Sequence, residues 1–132
     1  ITTEQADLQN YEIKPNSWDI ITSFYCHLPK EARGALHAQV VKGLREGGIF
    51  ILEAFTPDQL EFNTGGPKDI NLLMNLSDLS NELSGLTIVH GAELKREIIE
   101  GTYHSGLGAV VQVMAIKPHL ETPQFDNDYN PC

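Results

Sequence analysis

The sequence predicts an α/β fold: a partial, mostly parallel sheet with an antiparallel C-terminal strand, flanked by helices. Three observations predict it. A helix-period stripe within residues 29–44 lies between two apolar runs, at 18–25 and 49–55. The first run is nearly continuous rather than alternating, as in a strand covered on both faces. Gly47-Gly48 separates the helix from the second run. Strand, helix, turn and strand make a βαβ unit, which implies parallel strands and a right-handed crossover.

The elements follow in order. Residues 1–6 are Thr-rich and read as a short strand ending at Asp7. Pro15, Asn16 and Ser17 mark residues 10–17 as a loop. Trp18 opens the next strand, with Ile20, Ile21 and Phe24 as its apolar residues. Pro29 suits a helix start, where its missing N–H is harmless. Ala32, Leu36, Val40 and Leu44, with Val41 beside them, form one stripe, while Lys30, Glu31, Arg33 and Lys42 face elsewhere. His37, one residue from the stripe, is expected at the surface or its boundary. Gly47-Gly48 ends the helix, and residues 49–55 form the clearest strand. Residues 56–69 form a long loop with Gly65-Gly66-Pro67, of the kind that serves as a lid. Ser77 is the expected N-cap of a short helix to Leu83, closed by Gly85. Residues 86–90 and 96–99 read as separate strands, 101–108 as a turn-rich link and 109–117 as the last strand. Residues 98–115 then form an antiparallel pair.

The composition sets the class. Of 132 residues, 41% are hydrophobic and 20% charged, which is an ordinary globular balance with enough apolar material for one core. The formal net charge of −9 argues against nucleic acid, which needs a basic face, and against an anionic membrane surface. A small-molecule or protein partner remains. No apolar run approaches the roughly 18 residues of a membrane helix, and no signal-peptide pattern opens the chain. Two cysteines, Cys26 and Cys132, do not make a disulfide framework, so the cytoplasm is the expected compartment. After Lys117 there is no Lys or Arg, while Glu121, Asp126 and Asp128 follow. The domain organisation is therefore a folded part, 1–118, and a polar acidic tail, 119–132.

Several segments carry a resemblance. They are Ala6-Asp7-Leu8, Trp18-Asp19-Ile20-Ile21, Phe24-Tyr25-Cys26-His27-Leu28-Pro29, Leu44-Arg45-Glu46-Gly47-Gly48-Ile49-Phe50 and Gly108-Ala109-Val110-Val111-Gln112-Val113. In this order they resemble the C-terminal part, strands three to seven, of a class I, Rossmann-like S-adenosylmethionine-dependent methyltransferase. The nearest relatives suggested are bacterial enzymes akin to the tellurite-resistance and thiopurine methyltransferases. The resemblance implies S-adenosylmethionine as cofactor and a small-molecule methyl acceptor.

It also implies site residues. Asp7 and Leu8 stand where the family's third strand ends in an acid and an apolar residue that meet adenine. A carboxylate suits an amino group because it only accepts; the residues alone favour a turn or cap at Asp7, and it is the resemblance that points to adenine. Ser23, Phe24 and Tyr25 stand at the end of the fourth strand, beside the cofactor, and Tyr25 is also placed to position a substrate. Glu53, breaking an apolar strand, and Tyr103 and His104, before the last strand, are the candidate substrate residues. No catalytic residue is assigned, since in-line methyl transfer asks chiefly for positioning. Cys26 and His27 are neighbours, and neighbours on a strand point to opposite faces, which argues against a nucleophile–base pair. Cys26, His27, His37, His90 and His104 have no metal-ligand spacing, so no metal is expected.

The family's glycine-rich turn and the acid of its second strand have no counterpart here. About 60–80 residues, two strand–helix units, would carry them. In the family those two strands lie between the third and fourth. Without them the Trp18–Phe24 strand becomes an exposed apolar edge, and such edges recruit another strand. The expectation is a homodimer through that edge, or residues 1–6 folded back on it. A non-catalytic module that self-associates or binds a partner is the alternative to the enzyme.

Overall fold

The computed structural model describes residues 1–99 and 105–120. Its strands are β1 (Trp18–Phe24), β2 (Leu44–Phe55), β3 (Thr87–Ile99) and β4 (Ser105–Ile116), and its helices are α1 (Lys30–Gly43) and α2 (Leu76–Glu82). Two 3-10 turns, Pro57–Glu61 and Ile70–Leu72, lie between β2 and α2. The strands form one sheet in the order β1-β2-β4-β3. β1 and β2 are parallel, as the βαβ reading requires, and β4 runs antiparallel to both of its neighbours. The α/β class, with a parallel start and an antiparallel last strand, therefore holds.

One face of the sheet carries the core. Phe50, Leu52 and Ala54 of β2 alternate inward with Val111, Val113 and Ala115 of β4, against Val40 and Leu44 and against Leu79 and Leu83. Each such Leu, Val or Phe side chain contributes about 1.5–3 kcal/mol by leaving water. A second cluster, Phe55, Leu73, Ile98 and Val110, closes the carboxyl end of β2.

Several local expectations are corrected. Residues 1–6 form no strand and lie exposed, so they do not fold back on the open edge of β1. The counterpart of the family's third strand is therefore not formed. β1 is not covered on both faces either. It is the edge strand, with Trp18, Ile20 and Phe24 51%, 58% and 58% exposed. α1 ends at Gly43 rather than at Gly47, and residues 45–48 are absorbed as an irregularity in the β1–β2 register.

Arg33 and His37 face inward rather than to solvent. Arg33 is 2% exposed; its Nε donates to both Glu82 oxygens at 3.0 and 3.1 Å and its Nη2 donates at 2.6 Å. His37 Nδ1 meets Glu82 Oε1 at 2.8 Å. A carboxylate from α2 thus turns two polar residues of α1 into core. The N-cap of α2 is Asn75, whose side chain accepts from the Asp78 N–H at 2.8 Å, not Ser77. Residues 87–90 and 96–99 belong to one continuous strand, and Leu86 precedes it. Gly91 interrupts its pattern because Leu76 of α2 lies there; a Cβ would sit 3.0 Å from Leu76 Cδ1.

Candidate functional site

The parallel strands β1 and β2 end together, with Phe24 in register with Glu53. In open α/β sheets that end is where ligands bind. Tyr25 leaves β1 with φ of +54°, a left-handed conformation unusual for a bulky side chain. Its N–H donates to the Glu53 carbonyl at 2.8 Å, and its ring lies 4.9 Å from that of Phe55. The turn brings the phenol to Glu53, and the hydroxyl donates to Glu53 Oε2.

Glu53 is the centre of a polar cluster. Arg96 Nε of β3 donates to Oε2 at 2.7 Å, and Gln112 Nε2 of β4 donates to Oε1 at 3.2 Å. Arg96 Nη2 also approaches the Tyr25 oxygen at 3.4 Å. Four residues from three strands and one turn thus converge. Burial pushes the Glu53 carboxyl up, but the bonds from Tyr25, Arg96 and Gln112 and the Arg96 charge outweigh it, and the group lies below its usual range. Burial and the bond to Glu53 push the Tyr25 phenol well above its usual range. At neutral pH Glu53 is a carboxylate and Tyr25 a neutral phenol.

His27 is held apart from this cluster. Its Nδ1 donates to the Leu72 carbonyl at 2.7 Å, its ring stacks on Phe55 at 5.7 Å, and burial pushes its pKa down. With Nδ1 protonated, Nε2 faces the Phe55 N–H at 3.5 Å. Cys26 points elsewhere, into the cavity described next, and burial pushes its thiol up.

A cavity of about 320 Å³ runs along β1. Leu8, Tyr11 and Ile13 form one wall, Ser23, Phe24 and Cys26 a second, and Leu36, His37 and Val40 of α1 a third. The structure thus brings Leu8, Ser23 and Phe24 together. It does not bring the other two into the cavity lining. Tyr25 belongs to the Glu53 cluster, and Asp7 sits in an exposed turn, where Oδ1 accepts from the Gln9 N–H at 3.0 Å. Glu53 lies where the strand pattern put it. Tyr103 and His104 lie outside the described residues, as do residues 121–132 of the expected tail.

Arg96 and Gln112 were not singled out from the sequence. Arg96 stands among Glu93, Lys95 and Glu97, and nothing in that alternation marks one charge as inward. Gln112, a polar residue within an apolar strand, was a usable signal. The loop after β2 is hydrogen-bonded to β4. Gln59, 1% exposed, donates through Nε2 to Thr64 Oγ1 and the Gly65 carbonyl, and its Oε1 accepts from the Ala109 N–H. Among the described residues no group of three His, Cys, Asp or Glu is arranged to hold a metal, and no helix is long and apolar enough to cross a membrane.

No protein-family model matches the sequence, and no curated protein matches it closely enough to count. Solved structures do. The chain is similar to TehB from Haemophilus influenzae, with a TM-score of 0.67 and 16% identity over 88% of this chain and 41% of that one. It is similar to a SAM-dependent methyltransferase from Methanosarcina mazei, with a TM-score of 0.63 and 13% identity over 86% and 65%. It is also similar to an S-adenosylmethionine-dependent methyltransferase from Mesorhizobium loti, at 0.58 and 18% over 86% and 68%. The chain spans between 41% and 68% of the length of these structures. By its sheet order, its single parallel crossover and these likenesses, the chain carries the class I methyltransferase fold in part.

Proposed function

We propose that this chain is the acceptor-side part of an S-adenosylmethionine-dependent methyltransferase that acts on a small molecule in the cytoplasm. The observation that carries the reading is the Tyr25–Glu53–Arg96–Gln112 cluster at the carboxyl end of the parallel pair. A class I fold places its acceptor at that end. When bound, the cofactor supplies an electrophilic methyl group.

The residues present fit one end of such a cofactor. Leu8 and Phe24 give the cavity apolar walls for adenine, Ser23 adds a hydroxyl, and Asp7 is the carboxylate next in sequence to Leu8. The chain has no glycine-rich turn after a strand to approach the methionine end and no acid matched to the ribose. In this reading two further strand–helix units pair along the open edge of β1 and supply both. Tyr25 and its partners orient the acceptor, and Tyr103 and His104 are proposed to contact it as well. The net charge of −9 favours a small acceptor over a nucleic acid.

Calorimetry with S-adenosylhomocysteine tests the reading. The expected result is binding by this chain when joined to a preceding strand–helix–strand unit, weakened about tenfold or more by Asp7→Ala. Failure of the joined chain to bind would refute it.

The open edge of β1 favours a second reading, a module that self-associates without catalysis. β3, the other edge, carries Glu93, Lys95, Arg96 and Glu97, whereas β1 carries only Asp19. Light scattering separates the two: a dimer mass lost on Ile20→Lys supports self-association, and a monomer removes it.

A further inference from the structure

The Glu53 cluster carries one further inference, which rests on reading it as the acceptor site. A phenol has one proton to donate and two lone pairs to offer. Glu53 is ringed by three donors, the Tyr25 hydroxyl, Arg96 Nε at 2.7 Å and Gln112 Nε2 at 3.2 Å. A carboxylate accepts only, so the single Tyr25 proton is committed to Glu53. Arg96 Nη2 approaches the Tyr25 oxygen at 3.4 Å and occupies at most one lone pair. Among the described residues the other has no partner. The Arg96 charge is paired with the Glu53 carboxylate through Nε, and Nη1 donates to the Glu97 carbonyl at 3.1 Å.

We propose that Glu53 is a positioning residue that fixes the Tyr25 hydroxyl as a hydrogen-bond acceptor, so that the site selects a neutral molecule whose nucleophilic atom carries a hydrogen (an alcohol, phenol, amine or thiol) over an anion. One further feature agrees. The left-handed backbone at Tyr25, φ +54°, fixes the phenol against Glu53 instead of leaving it along the strand.

Phenol and benzoate make a matched probe pair, one ring with a donor and one with an anion. The chain is labelled with carbon-13 at the tyrosine ring carbon that bears oxygen, and Tyr25→Phe identifies the Tyr25 signal among the four tyrosines. Phenol is expected to move that signal and to bind about tenfold more tightly than benzoate. In Glu53→Gln the amide can donate to the phenol oxygen and release its proton. The preference should then fall to within about threefold, and Tyr25 should ionise at lower pH. Benzoate binding as well as phenol in the unaltered chain, or phenol leaving the Tyr25 signal unmoved, would overturn the proposal. So would an unchanged preference in Glu53→Gln with the fold retained. The comparison in the unaltered chain stands even if Glu53→Gln fails to fold. None of these readouts needs the cofactor, so failure of S-adenosylhomocysteine binding and failure of acceptor selectivity are seen separately.

Discussion

Removing Glu82 should unlock α1 from α2. Arg33 is 2% exposed and makes three contacts to the Glu82 carboxylate, between 2.6 and 3.1 Å; its guanidinium also donates to the Leu73 carbonyl at 3.2 Å. Glu82→Ala leaves that guanidinium in the core without its counter-charge, and it leaves His37 without its partner. Breaking a buried pair from one side costs about 3–5 kcal/mol. The Glu82 side chain is 12% exposed, and Asp78 lies 4.0 Å from Arg33 Nη2 as a partial substitute. Both features place the expected loss near the lower end, about 3 kcal/mol. In urea, with a slope of about 2 kcal/mol/M, the unfolding midpoint should fall by about 1.5 M. Replacing both partners, Arg33→Met with Glu82→Leu, should recover much of the loss, since the penalty comes from the orphaned charge. A loss below about 1 kcal/mol, or a double variant as unstable as the single one, would refute this account of the clamp.

Three further outcomes follow from the same structure. Burial pushes the Glu82 carboxyl up, but His37 and Arg33 more than offset it and hold it below its usual range. Its stabilisation is therefore present above the unfolded value, about 4.3, and lost as pH falls through the lower folded value; Glu82→Gln should flatten the acid limb of a urea-midpoint profile. Asn75→Ala removes the true cap of α2 and should cost about 1 kcal/mol, while Ser77→Ala should cost much less, both read by thermal unfolding. Gly66→Ala asks an L-residue to adopt φ +85° with its Cβ 2.9 Å from the Phe55 ring; it should cost about 1–3 kcal/mol and loosen the Gln59 loop, read as faster amide exchange at Ala109.

What was legible in the sequence was whatever a local pattern determines. The Ile-Phe-Ile-Leu run of β2 alternates toward a helix-covered face, and the spacing of α1 between two such runs forces a parallel crossover. Glu53 stood out because a charge interrupts an apolar strand. What was not legible depended on distant partners. Arg33 and His37 look solvated until Glu82 arrives from α2. Gly91 reads as a break until Leu76 is seen packed on it. Arg96 looks like any surface charge on β3 until the register with β4 sets it near Glu53. Residues 1–6 have strand composition yet stay off the open edge of β1, because composition does not report which ladder a segment will join.

The place of β4 governs how this molecule must assemble. β2 and β3 do not pair with one another; the β1–β2 pair and β3 are joined only through β4, which is made after all three. Ile49 must wait for Ile116 and Phe55 for Val110, contacts of long sequence separation whose loop-closure entropy is spent before any of them forms. During synthesis the β1–β2 pair emerges before β4 with its β2 edge unsatisfied, and β3 follows with no strand yet to pair with. The ladder therefore closes in one late step, and its folding rate should respond most to changes in the β2–β4 seam.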